Sequence, residues 1–547
     1  MRAEVTELRG GATIAPRPQQ PIVTVVKRRQ RLDRFELALL VAFACASLWV
    51  LALDLWQVVA HGRVWTGTDG FFIVDQMQYL AWVRSASHGL IANMFVLHWT
   101  PADYFQPAIA ISGLVTALGV APWLSLLLWK PVAVAGTFFA FRAYAHRSLF
   151  ARPQRRAALA LALFFGSFSI VYGSFSVVGD LFPTFLTWGY PFGLIAVAAM
   201  VFALLIYDRA RSADRVPWTP ALLGALASSL HPWQGELLIL IVVGAELYHW
   251  RDRRWTRRAL TLPALTLLGT VVPLLYYVIL GRIDTSWALA REASKHAFPF
   301  TAIAIGLAPL ALLAALGYRG RPKSFLATVT RVWPLAALLV YLLSATALSA
   351  TPLHAFEGIT LPLAVLAVDG LRRASRRRRI PGRRTLAIAA IAAATIPATL
   401  YLLHTAAPYV APQAGNANFI TRDESSALSY LARDPVKGGV LTRFYLGEIV
   451  PERADRRTLV GNCLWSQPHC LSTAYAAQRL FDGALSPASA RSFVQSTGAR
   501  FLLVDCETPT NLQHMLAALI VSTQKFGCAS VYQLDSPTRR NRGPDGP

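Results

Sequence analysis

Charge is scarce in this chain: Asp, Glu, Lys and Arg make up 15% of its 547 residues, where a soluble protein carries about a quarter. That excludes an ordinary soluble enzyme of this length. Negative charge is scarcer still, with 29 acidic residues against 53 basic ones, and lysine is rare beside arginine, six against 47. No strand-like segment is followed by a glycine-rich phosphate loop, which argues against a nucleotide site. No internal repeat is evident, which counts against inverted-repeat transporters. His469 beside Cys470 lacks the paired C-x-x-C spacing of a zinc site. A cleavable signal is missing too. The first 34 residues are polar, with Pro16, Pro18 and Pro21. The apolar run after them has no A-x-A-like end, so it reads as an uncleaved anchor.

What is present is hydrophobic sequence, 54% of the chain. Runs such as 37–53, 157–170, 194–206 and 386–403 approach the ~20 residues that cross a ~30 Å hydrocarbon layer. A bilayer offers a bare backbone no hydrogen bonds, so these runs must be helices. The net charge of +24 could suggest nucleic acid, but the basic residues cluster between apolar runs, at 27–34, 142–156, 209–215, 251–258, 319–331 and 372–384. That is the positive-inside pattern of cytoplasmic loops, and no nucleic-acid partner is expected. Spans are predicted near 35–59, 120–141, 157–176, 190–207, 217–230, 236–250, 259–280, 298–317, 332–349, 358–371 and 385–405. With the N-terminus cytoplasmic, eleven spans place every basic cluster inside. Residues 107–141 could supply two spans, but two would put 142–156 on the wrong side, so 107–118 reads as a short re-entrant or juxtamembrane helix. The short pair 217–230 and 236–250 reads as tilted, or as broken around His231-Pro232.

The domain division follows: a basic cytoplasmic tail (1–34), a polytopic α-helical membrane domain (35–405) with a long outer loop (60–106), an extracytoplasmic α/β domain (406–535), and a disordered end (536–547). In the α/β domain, 440–445, 500–505 and 529–534 read as strands, with helices at 473–481, 486–497 and 510–520, a pattern that predicts a largely parallel sheet. Cys463, Cys470, Cys506 and Cys528 lie there. In an oxidising compartment four cysteines allow three pairings; Cys463–Cys470 with Cys506–Cys528 is the favoured one, and free thiols are the alternative.

The outer loop carries the most chemistry. From Gln76 it reads as a helix with an apolar side (Tyr79, Leu80, Trp82, Val83, Ala86), Gly89 as its stop, and a place along the outer membrane surface. Asp75 stands at its start and Asp69 in the loop before it. A carboxylate there could serve as a general base toward an acceptor hydroxyl, or simply cap the helix. The string Asp75-Gln-Met-Gln-Tyr79, with Gly89 and the Phe105-Gln-Pro107 entry to the next helix, resembles the GT-C glycosyltransferase superfamily, as does the order of basic tail, span, long loop, short hairpins and soluble tail. Tyr445-Leu-Gly-Glu-Ile-Val-Pro451 and the segment 456–461 are similar to tails of bacterial members. The resemblance implies a polyprenyl-phosphate-linked sugar donor and a catalytic or metal-contacting role for Asp75, with Asp69 as rival or partner. The loop lacks the adjacent acidic pair of the family pattern, so a divalent metal stays open.

A lipid-phosphate donor calls for cations near the outer surface. Candidates are Arg282, Arg291, Lys295 and His296 in one loop and His354 in another, with ordinary solvated charge as the bland reading. His354 and Glu357, like His231 and Glu236, pair ionisable groups beside spans, where such groups are costly and tend to be functional. The leading expectation is a glycosyltransferase in a bacterial plasma membrane, the arginine-rich composition pointing to a high-GC bacterium. It would act on a cell-envelope polysaccharide or glycolipid acceptor. A transporter or flippase, or a non-catalytic assembly protein with a glycan- or partner-binding tail, is the alternative.

Overall fold

The computed structural model describes residues 31–69, 72–166, 181–189, 191–252, 256–294, 300–344, 352–378 and 383–535. Among them, seven helices are long and apolar enough to cross a membrane: Arg34–His61, Pro122–Ser148, Pro191–Ser212, Arg257–Ile283, Phe300–Gly317, Phe325–Leu343 and Leu353–Ala374. Shorter apolar helices fill other expected positions. Pro107–Ala117 is separate from the span that follows it, as the charge pattern required. Thr219–Leu230 and Pro232–Tyr248 form a hairpin broken at His231. The eleven-span count is not reproduced by length and composition alone. The expected span 157–176 is described only as the helix Arg152–Phe164, and part of 332–349 lies outside the described residues.

Local chemistry sets the ends of the first span. Asp33 and Glu36 form a reciprocal capping box at its start, and Gly62, at φ 61°, ends it in the left-handed region that costs glycine nothing. Its 28 residues reach about 42 Å. At its first end, acids meet the basic clusters. Glu36 pairs with Arg142 (3.0 Å) and His146 (2.6 Å), Asp33 with Arg152 and Arg156, and nearby Asp208 with Arg147. At its far end the tail domain is laced on. Val64–Trp65 pairs antiparallel with Phe419–Ile420. Asn418 donates to Asp54 Oδ1 (2.9 Å) and accepts from Thr68 (2.6 Å). The basic cluster 142–156 and the tail domain therefore meet opposite ends of the first span.

The tail's four-stranded sheet runs Val440–Leu441, Phe501–Val504, Ala529–Leu534, Ile520–Phe526 in spatial order. Only the first pair is parallel; the other two are antiparallel. The sheet is therefore mixed rather than largely parallel, because a hairpin turning at Gly527-Cys528 supplies two of the four strands. Residues 442–445 do not continue the first strand, since a helix, Phe444–Ala454, begins there. Both favoured disulfides form, Cys463–Cys470 and Cys506–Cys528. They close separations of 7 and 22 residues. Loop entropy makes removal of the second the costlier by about 1 kcal/mol. Melting of the two double-serine variants should show that order, and equal losses would contradict it.

Candidate active site

The loop helix runs Ile73–Ala86, three residues earlier than expected. Phe72 precedes it at φ 52° with no side-chain cap, its ring seated where a Cβ on Gly189 would come within 2.7 Å. Asp75 is thus in the first turn and not at the N-cap. There the bare N–H groups and the helix dipole favour negative charge. The helix does not lie open along a membrane surface. Met77, Leu80, Val83 and Trp82 are buried between Phe192, Leu230 and Leu280 of the bundle and Leu446, Ile449 and Trp465 of the tail. Gln78 Oε1 accepts from Asn462 Nδ2 (3.1 Å) and Trp465 Nε1 (2.5 Å), and Arg84 donates to Glu452 O. Arg457 of the tail donates to Asn93 O and His98 O of the loop. Loop and tail form one packed unit.

A cleft of about 940 Å³ opens where this unit meets the helix Arg383–Val410. Phe72, Asp75, His404, Pro408, Arg443, Tyr445, Glu448 and Glu507 are among its lining residues. Glu448 reaches it because the first turn of Phe444–Ala454 sits hard against the segment after it. A Cβ on Gly447 would fall 1.8 Å from Val460 O, and one on Gly461 2.3 Å from Gly447 O. Glu448 is 4% exposed. Burial, with Asp75 nearby, holds its carboxyl well above the ordinary carboxylate range. Burial and Asp505 raise Glu507 as well. Arg443 is already engaged, by Asp482 (2.7 Å) and Asp505 (2.8 Å), and its hydrogen bond holds Asp482 low. The cleft therefore leans acidic.

A stability test follows from Glu448. Its raised native value means the stability it contributes is complete below the unfolded value of about 4.3 and is lost as pH rises through the native one. Glu448→Gln keeps the neutral shape at every pH. Its melting temperature should exceed wild type by a margin that widens above about pH 4.3. A margin constant with pH, or a variant less stable throughout, would contradict this account.

The other expected residues scatter. Asp69 is buried and ion-paired with Lys130, its own N–H donating to Gln76 Oε1 (2.9 Å), and it does not line the cleft. Tyr79 packs on Phe192 and Trp82. Arg282 and Arg291, near the C-terminal ends of Arg257–Ile283 and Thr285–Ala293, are exposed and outside the cleft lining. Lys295 and His296 lie outside the described residues. His354, His231 and Glu357 come together in a cluster of their own, while Glu236 is half-buried on the neighbouring helix. The residues that sequence reasoning missed are Glu448, Arg443, Glu507 and His404. Glu448 alone carried a signal, a single acid between Leu446 and Val450.

The fold has counterparts among solved structures. The oligosaccharyltransferase of Archaeoglobus fulgidus in its apo form matches with a TM-score of 0.53 at 11% identity, over 88% of this chain and 71% of that one. The same archaeal enzyme in complex with an inhibitory peptide and a dolichol-phosphate matches with a TM-score of 0.52 at 12% identity, over 89% and 71%. The arabinofuranosyltransferase AftD from Mycobacteria matches with a TM-score of 0.54 at 15% identity, over 92% of this chain. The chain spans 42% of that protein, less than half its length. No protein-family model matches the sequence, and neither does any curated protein. The fold is the one these solved structures share, with a sheet-containing domain at its C-terminus.

Proposed function

We propose that the chain is a glycosyltransferase that moves a sugar from a polyprenyl-phosphate carrier to a hydroxyl of an envelope polysaccharide or glycolipid. The reaction would occur on the outer face of a bacterial plasma membrane. One observation carries this reading: Asp75, on a helix packed against both bundle and tail, lines a cleft that lies beside an exposed apolar face of the helix Arg383–Val410. Ile396, Leu400, His404 and Pro408 recur every fourth residue along Arg383–Val410, a spacing that sets them on one helix face. Ile396 and Leu400 are exposed at 53% and 59%, and His404 and Pro408 line the cleft. An isoprenoid tail lying along that apolar stripe would deliver its phosphate to the cleft mouth.

Asp75 then accepts the proton of the acceptor hydroxyl as its oxygen bonds to the anomeric carbon. The carbon–oxygen bond to the carrier breaks in the same displacement, and the electron pair leaves with the polyprenyl phosphate. Burial shifts Glu448 toward its neutral form and leaves Asp75 as the more readily ionised of the two, the separation of roles that environment imposes on paired carboxylates. Within the cleft Arg443 supplies the positive charge and His404 an imidazole, and we assign contact with the donor phosphate to them rather than to Arg282 or Arg291.

The test is transfer of labelled sugar by the purified chain in nanodiscs containing polyprenyl-phosphate donors. Turnover that requires both the lipid carrier and an acceptor supports the reading. Sugar lipid carried across the bilayer without any transfer would replace it with a flippase.

A further inference from the structure

The hairpin Thr219–Leu230/Pro232–Tyr248 turns at His231, and the short helix Pro352–Phe356 packs against that turn. Three side chains converge there. Glu357 Oε1 lies 2.8 Å from His354 Nδ1, and its Oε2 lies 3.4 Å from His231 Nδ1. The two imidazoles stand 4.8 Å apart, and Trp233 packs on both at 4.7 and 4.6 Å. One ligand atom from each of the three lies within 4.8 Å of the others. None of them lines the Asp75 cleft.

Glu357 is fully buried, and its Oε2, His231 Nδ1 and Gln234 Oε1 have no hydrogen-bond partner. The carboxylate has little freedom to swing away, because Oε2 stands 2.7 Å from where a Cβ on Gly193 would be. Glu357 Oε1 is hydrogen-bonded to His354, but a buried carboxylate with its other oxygen unsatisfied is costly, which leaves a place for a ligand between Oε2 and His231 Nδ1. The 3.4 Å separation of His231 Nδ1 from Oε2 is too long for a good N–H···O bond. Two atoms bound to one tetrahedral zinc at about 2.0–2.1 Å stand roughly 3.3–3.4 Å apart.

We propose that His231, His354 and Glu357 hold a divalent transition-metal ion of the zinc type. Two imidazoles and one carboxylate suit such an ion better than magnesium or calcium, which prefer all-oxygen sites. Three protein ligands leave a fourth position open. A water there would donate a hydrogen bond to Gln234 Oε1, and Gln234 Nε2 is already fixed by its bond to His354 O (3.2 Å). The ion would join the turn of the hairpin to the approach of the span Leu353–Ala374. Among the described residues the other grouping of possible ligands, Asp423 with Cys506 and Cys528, is disqualified because its two sulfurs are bonded to each other.

The experiment uses the full chain purified in detergent without a metal-chelate resin, exposed to zinc and desalted. Elemental analysis should find about one zinc per chain, also in Asp75→Asn, and a large loss in His231→Ala and in His354→Ala. The zinc-edge absorption spectrum of the wild type should show a nitrogen and oxygen shell with imidazole scattering and no sulfur. That reading stands even if the histidine variants fail to fold. Wild type that retains no zinc, a sulfur-containing shell, or zinc undiminished in folded His231→Ala and His354→Ala would each overturn the site. Loss of zinc in Asp75→Asn would overturn it as well, by placing the ion in the cleft.

Discussion

Asp75→Asn is expected to slow sugar transfer by about 10²–10⁴-fold, the range that general-base catalysis supplies, while the chain still folds. The amide keeps the shape of the carboxylate but cannot accept the hydroxyl proton. Its structural cost is small, because Asp75 is only partly buried in the first helical turn, where lost interaction with the dipole amounts to about 0.3–1 kcal/mol. Initial rates in nanodiscs, beside a melting curve, separate the two effects. Asp69→Asn makes the contrast, since it perturbs a buried ion pair outside the cleft and should lower stability more than rate. Undiminished transfer by Asp75→Asn would remove Asp75 from the chemistry.

Lys130→Met is expected to destabilise the protein by about 3–5 kcal/mol, as loss of one partner from a buried ion pair does. The Lys130 and Asp69 side chains are each 6% exposed. Lys130 Nζ also donates to Thr187 O (2.8 Å) and Ser47 O (3.3 Å). Methionine fills the volume of the stem but abandons three acceptors, one of them a carboxylate sealed from water. Asp69→Asn should cost less, because the amide oxygen still accepts from Lys130. Adding it to Lys130→Met should restore part of the loss, since no buried charge is then stranded. Melting in detergent and the yield of monodisperse protein would show this. A Lys130→Met variant as stable as wild type would mean the pair is solvated.

How far the sequence could be read depends on where each signal was stored. Helices in a bilayer announce themselves by composition, and the separate Pro107–Ala117 helix could be inferred because 142–156 is so strongly basic. The start of the loop helix could not be inferred. No capping side chain marks Ile73, and Phe72 is placed by Gly189, more than a hundred residues away. In the sequence Asp69 stands as rival or partner to Asp75, and it is Lys130, the one cation within the predicted span 120–141, that takes Asp69 out of the cleft. The polar alternation of Ile520–Phe526 hid an edge strand that pairs only with Ala529–Leu534. Residues 442–445 looked extended because Gly447 and Gly461, which let the chain coil there, carry no periodicity. Glu448 was quoted for its family likeness, yet its proximity to Asp75 is a tertiary fact.

The short pairing of Val64–Trp65 with Phe419–Ile420, and the bonds of Asn418 to Asp54 and Thr68, have a consequence for biogenesis. The outer loop leaves the ribosome early, well before the residues that brace it are made. Until then the loop waits half-finished, its apolar ridge uncovered. The cleft is therefore assembled in one late event, and a ribosome stalled before residue 410 would leave the loop without the residues that close it.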